Sequence, residues 1–126
     1  MNRRKALLAL HLGARALGGA GLVFAEMTCV SAEGRITPGC PGLYDLAQCD
    51  AWKRIVDFVH SNSDAKMAVQ LGHAGRKASS RRPWEGGGPL PPDQGGWIPE
   101  APSAIPFGGC ETPKAFDDAG LKRIVA

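Results

Sequence analysis

The stretch Gln70-Leu71-Gly72-His73-Ala74-Gly75-Arg76-Lys77 decides the fold. It follows Met67-Ala68-Val69, a short apolar run that reads as a strand, and it opens into a long segment rich in glycine and proline. In a parallel α/β protein, the end of a strand and the loop after it are where ligands are held. A glutamine at that place offers one acceptor and two donors on a rigid support. That set suits a flat heterocycle with alternating carbonyl and N–H groups.

Outward from this stretch the chain alternates helix and strand. Upstream, Asp45 is a good N-cap and Gln48 three residues on completes a capping-box pattern, which predicts a helix over 45–61. Cys49, Trp52, Ile55, Val56 and Val59 recur at helical spacing as its expected buried stripe. Asn62 and Asp64 stop it before the strand over 66–71. Further back, Leu7, Leu8, Leu10, Leu12 and Leu17 give a helix over 5–18 an apolar face, and Gly18-Gly19 end it. The continuous apolar run from Gly21 to Ala25 belongs to a strand over 21–26 that is covered on both faces. Strand, helix, strand is a right-handed crossover unit, so Met27 and Gln70 are expected on one rim. Downstream, residues 72–113 read as a rim loop. Gly86-Gly87-Gly88 and Pro91-Pro92 favour disorder there, whereas Trp84 and Trp97 favour partial order. Asp117 then caps a helix over 117–126.

Composition narrows the class. A chain of 126 residues, 44% hydrophobic and 21% charged, is that of a single globular domain. The net charge of +3 is modest, and no helix carries a basic stripe with interleaved aromatics, so nucleic acid is not an expected partner. No run approaches the ~20 apolar residues of a membrane span. Cysteines at 29, 40, 49 and 110 show no C-x-x-C spacing, which argues against a structural metal. Reduced thiols and a cytoplasmic location are the reading. Met1-Asn2-Arg3-Arg4-Lys5 before Ala6-Leu7-Leu8-Ala9-Leu10 imitates a signal peptide, but His11 and Arg15 interrupt the apolar run.

The run Q-L-G-H-A-G-R-K resembles the segment after the third barrel strand of the Old Yellow Enzyme family of FMN-dependent oxidoreductases. His11 to Leu22 is similar to that family's first helix and second strand. Glu26-Met27-Thr28, with Val30-Ser31-Ala32-Glu33-Gly34-Arg35, resembles the loop that follows, and Pro102 to Phe107 resembles the lead into the third helix. The wording of Glu26-Met27-Thr28 and of Gly34 to Cys40 is closest to the reductase-like half of bifunctional salicylyl-CoA 5-hydroxylases.

The resemblance implies a (β/α)8 TIM barrel of which this α/β chain is roughly the N-terminal third to half. It implies FMN as cofactor and NAD(P)H as hydride donor, with an activated alkene or an aromatic CoA-type compound as acceptor. It also implies that the Gln70 amide bonds the flavin pyrimidine and that the Met27 backbone contacts the ring. Met27 stands where alanine is common, so its bulk could crowd the flavin. The family's substrate-orienting pair and phosphate loops belong to later strands, which leaves no catalytic residue to assign here. His73 and Arg76 then read as architectural, and Glu26 as an ion-pair partner of Arg15 or Arg76.

A barrel needs roughly 250 residues. This chain alone would expose parallel sheet edges, and both of its ends read as cut. Two other readings stay open. One is an inactive half barrel that works only by self-association or by pairing with the missing half. The other is a small exported protein.

Overall fold

A computed structural model of the chain describes residues 3–125. Met1, Asn2 and Ala126 lie outside the described residues, as do the side chains of residues 3–8. The signal-like start and the side chains of Leu7 and Leu8 fall there. The chain forms two compact units, one from residues up to Thr28 together with Asp45–Gln70, the other from Cys29–Tyr44 and Leu71 onward.

The first unit holds helix α1 (Arg3–Leu17), most of strand β1 (Leu22–Cys29), helix α2 (Leu46–Asn62) and most of strand β2 (Lys66–Gly72). Asp45 caps α2 as its sequence position suggests, accepting the Gln48 N–H at 2.7 Å. At the other end the Ser63 hydroxyl donates to Val59 O at 2.8 Å and the Asn62 amide to Phe58 O at 2.7 Å, which satisfies orphan carbonyls of the last turn.

β1 and β2 are hydrogen-bonded neighbours. Lys66 N–H donates to Gly21 O where both strands begin, and Val30 N–H donates to Gly72 O past their ends, so the two run in the same direction. A parallel pair needs a crossover, and α2 supplies it.

Strand alternation sorts the side chains into two faces. Val23 and Ala25 of β1 join Met67 of β2, and Ala65 just before that strand, in a core completed by Leu12 and Ala16 of α1 and Ile55 and Val59 of α2. Trp52 packs partly buried against it, a core residue and not a ligand platform. The expected stripe of α2 runs one turn too far: Cys49 is exposed. It lies in the first turn of the helix, beyond the part that the core covers. The opposite face of the strands carries Leu22, Phe24 and Glu26 with Lys66, Ala68 and Gln70. Leu22 is 53% and Phe24 64% exposed there.

In the second unit, three short 3₁₀ turns (Gly75–Lys77, Pro83–Glu85 and Pro92–Gln94) punctuate the long loop. It holds a further strand, β3 (Glu100–Ala101), which pairs in parallel with β4 (Lys114–Ala115). Helix α3 (Asp118–Val125) follows, and the Asp117 carboxylate accepts the Gly120 N–H at 2.8 Å. Ser79 organises the loop. Its hydroxyl donates to Leu90 O at 2.7 Å and accepts from Trp97 N–H at 2.8 Å, and it is buried. The Trp97 indole N–H donates to Glu33 O at 2.8 Å, and the Arg35 guanidinium lies 4.7 Å over its ring. Trp97 anchors the loop. Trp84 is 79% exposed and anchors nothing in this unit.

Candidate functional site

Gln70 is exposed, near the C-terminal end of β2, on the face opposite the α1/α2 core. Its amide makes no hydrogen bond among the described residues, so one acceptor and two donors stay available to a partner. Met27 lies on the neighbouring strand, near its C-terminal end, and is half-buried. Its position in the alternation matches Val23 and Ala25, which turns its side chain toward the core face. The two residues that the family resemblance names lie on adjacent parallel strands and toward the same end of them.

Glu26 shares the open face of β1 and is exposed. The ion pair expected for it is not formed among the described residues. Arg15 turns back within its own helix to His11, donating to the carbonyl at 2.8 Å and lying 3.1 Å from Nδ1. Arg76 donates to the Ser103 hydroxyl at 2.9 Å. Each arginine has a nearer acceptor, and a surface ion pair offers too little to displace one.

The second unit contains a polar cluster that sequence reading missed. Arg123 of α3 bridges the carboxylates of Glu33 and Glu100. Residues 33, 100 and 123 share no motif, and no spacing in the sequence could have joined them. Burial is the largest single influence and works to raise the Glu33 carboxyl. Together the Arg123 guanidinium and the hydrogen bonds from the backbone and from Ser31 outweigh it and hold the carboxyl below its usual value. A cavity of about 250 Å³ beside this cluster is lined by Glu100, Lys114, Phe116, Asp117, Gly120 and Arg123. It belongs to this unit, whereas Gln70 and Met27 belong to the first.

His73 is set among these groups. Its Nδ1 accepts the Gly75 N–H at 3.0 Å, which places the ring proton on Nε2, and Nε2 is buried with no partner among the described residues. Its ring meets Phe116 edge-on at 5.6 Å. Gly34 makes room for it: a Cβ on Gly34 would stand 2.5 Å from the imidazole Cδ2. Those contacts make His73 a packing residue.

Burial lowers the His73 pKa and Arg123 lowers it too, while Glu33 and Glu100 pull it up by less. The unfolded chain therefore takes the proton first as pH falls. The stability that neutral His73 contributes is complete above about pH 6.5, the value of an unperturbed imidazole, and is lost as pH drops from there through the lower folded value. Urea unfolding at a series of pH values should show the midpoint falling in that window. His73→Asn should flatten the slope, and an unchanged slope would contradict this account.

Among the described residues no helix is long and apolar enough to cross a membrane.

Known proteins resemble this chain in sequence and in fold. The sequence profile of the NADH:flavin oxidoreductase / NADH oxidase family matches residues 2–98. An NADH:flavin oxidoreductase of Gibberella zeae is 41% identical over 119 residues, which is 90% of this chain and 29% of that protein. An NADPH dehydrogenase of Bacillus cytotoxicus is 41% identical over 98 residues, 78% of this chain and 24% of that one. Among solved structures, morphinone reductase in complex with tetrahydroNAD superposes with a TM-score of 0.71 at 28% identity, covering 94% of this chain and 34% of its own. TcOYE with pHBA gives 0.67 at 26% identity, with the same coverage. The chain thus spans about a third or less of the relatives it matches, and its two-stranded βαβ unit is a partial (β/α)8 barrel of their kind. Sequence profile, relatives and architecture agree that the chain belongs to the NADH:flavin oxidoreductase / NADH oxidase family and is an Old Yellow Enzyme-type segment of it.

Proposed function

We propose that this chain supplies the part of an Old Yellow Enzyme-type flavoprotein that grips the pyrimidine side of FMN. The reaction served is hydride transfer from NAD(P)H to an activated alkene or an aromatic CoA-type acceptor. The observation that carries the proposal is the exposed, available Gln70 amide near the C-terminal end of β2, opposite the core face.

The residues present fit the group. Gln70 matches a pyrimidine edge in donor and acceptor number, and Met27 directs its side chain away from the face where a ring would lie. When bound, FMN accepts a hydride from the nicotinamide and delivers it to the acceptor. This chain's own contribution is orientation: Gln70 sets the rotation of the ring in its plane, and the β1 backbone at Met27 sets how close the ring approaches. Substrate-orienting and phosphate-holding residues belong to later strands of the family barrel than the two present here. Hydride transfer by these 126 residues alone is therefore not expected. Four free cysteines suit a reducing, cytoplasmic compartment.

Titration of the purified chain with FMN, followed by flavin fluorescence, tests the reading. Only weak binding is expected, because the phosphate-holding residues lie on later strands of the family barrel. Gln70→Ala should weaken it about tenfold, the worth of ~1–1.5 kcal/mol of hydrogen bonding, with circular dichroism unchanged because the side chain is exposed. Equal affinity in both proteins would remove Gln70 from the site.

A second reading is favoured by Leu22 and Phe24, which stand exposed on the same open face of β1 as Glu26. Large apolar side chains in such a position call for a cover. The missing barrel strands, or a second copy of the chain, would supply it. Sedimentation velocity at rising concentration separates a self-associating chain from one that stays monomeric.

A further inference from the structure

Cys29 ends β1 and is fully buried, while Cys40 is half-buried in the loop that returns beside it. Cys29 N–H donates to Pro41 O at 2.9 Å and Leu43 N–H donates to Cys29 O at 2.9 Å, so the two backbones run side by side in a parallel bridge at Cys29 and Gly42. Cys40 immediately precedes the first of these contacts. A turn at Thr37–Cys40 aims its sulfur: Cys40 N–H donates to Thr37 O at 3.1 Å, and Thr37 N–H donates to the Cys40 Sγ at 3.4 Å. Cys29 pairs with Gly42, and Cys40 lies two positions before Gly42, so strand alternation sets Cys29 and Cys40 on the same face as diagonal neighbours. Closing a disulfide between them asks for a shift of the turn carrying Gly39 toward β1.

We propose that Cys29 and Cys40 are a redox-responsive pair that a hydroperoxide converts into an intramolecular disulfide, clasping the loop that follows β1. The order of events follows from their surroundings. Burial, with Cys40 alongside, pushes the Cys29 thiol up to about 11, which leaves it little thiolate. Cys40, the more accessible of the two, reacts first. Its thiolate attacks one peroxide oxygen, the O–O bond breaks, and a sulfenic acid forms as the other oxygen leaves as water after taking a proton. Cys29 sulfur then attacks the Cys40 sulfur. The S–O bond breaks, and the departing oxygen carries off the Cys29 proton as a second water. Two thiols and one hydrogen peroxide yield one disulfide and two waters; the sulfurs lose two electrons and the peroxide gains them. A thiol with a raised pKa stabilises the reduced state little, so the disulfide once formed should resist exchange.

The test uses the whole reduced chain and hydrogen peroxide near equimolar amounts, with remaining thiols then alkylated. Cleavage after Arg35 and Tyr44 separates Cys29, Cys40 and Cys49 into different peptides. The expected first product joins Cys29 to Cys40, with Cys49 and Cys110 alkylated. In urea the selectivity should disappear, because Cys40 and Cys49 stand nine positions apart and Cys29 and Cys40 eleven, so chain statistics alone favour the 40–49 pair slightly. In Cys29→Ser, Cys40 should stop as a sulfenic acid that dimedone traps. A native-state product dominated by 40–49 or by pairs with Cys110 would overturn the proposal. So would over-oxidation of Cys40 while Cys29 remains alkylatable.

Discussion

Gly96→Ala should cost more than about 3 kcal/mol of stability, a large share of the roughly 5–15 kcal/mol that holds a domain folded. A Cβ on Gly96 would stand 1.9 Å from Leu90 O and 2.5 Å from the Ser79 hydroxyl. Neither can step aside. Leu90 O accepts the Ser79 hydroxyl, and the same hydroxyl accepts the Trp97 N–H, so the added methyl presses on the hub of the loop. Moving Ser79 strands a buried hydroxyl and a backbone N–H, each worth about 1–3 kcal/mol when left unpaired. Ser79 also has little room to adjust, since its φ of 57° is a left-handed value that only a narrow basin permits. Thermal unfolding gives the magnitude, and amide exchange at Leu90 and Trp97 localises it. Gly21→Ala is the control, because nothing lies within 4 Å of a methyl there. Similar melting of Gly96→Ala and the native chain would show that the loop rearranges freely.

Leu12→Ala is the second large effect, with an expected loss of about 3 kcal/mol. Leu12 is 3% exposed and packs with Ala16, Ile55, Val59 and the two strands. Truncation removes the transfer energy of the side chain and leaves a hole. Its other walls are the β-branched Ile55, Val59 and Val23, whose stiff side chains cannot swing in to fill it. Leu10→Ala, two positions away on the same helix, should change stability by no more than ~0.5 kcal/mol because Leu10 is 68% exposed. Denaturant titration of both variants decides the matter. Equal losses would mean that α1 is not docked as described.

The three helices and strands β1 and β2 were legible because their signals are local, whereas the two-residue strands β3 and β4 left no periodicity to read. Asp45 and Asp117 cap by side chains that reach only three residues ahead, and the Val59/Ile55 spacing needs one helix turn to be seen. Gln70 was legible for a different reason, since a polar residue closing an apolar strand stands out without any partner. The extent of burial was less legible. Cys49 keeps the spacing of the α2 stripe and yet is exposed, because coverage depends on where the opposing elements end. The ion pair expected for Glu26 failed because Arg15 finds an acceptor within its own helix, a contact that competes with any remote carboxylate.

Sequence by itself determined the βαβ unit, its caps, the strand-end position of Gln70 and the membership of a flavoprotein family, since each depends on residues close together or on the wording of a short run. Tertiary structure decided the face that strand alternation gives Met27, the grouping of Glu33, Glu100 and Arg123 around His73, the Ser79–Gly96 contact and the return of Cys40 beside Cys29. All of these but the Met27 face join residues eleven to ninety positions apart, and the Met27 face is set by which side of the sheet the helices cover. Periodicity and capping report only on the next turn of chain; what a side chain meets after the chain has folded back is a matter of packing.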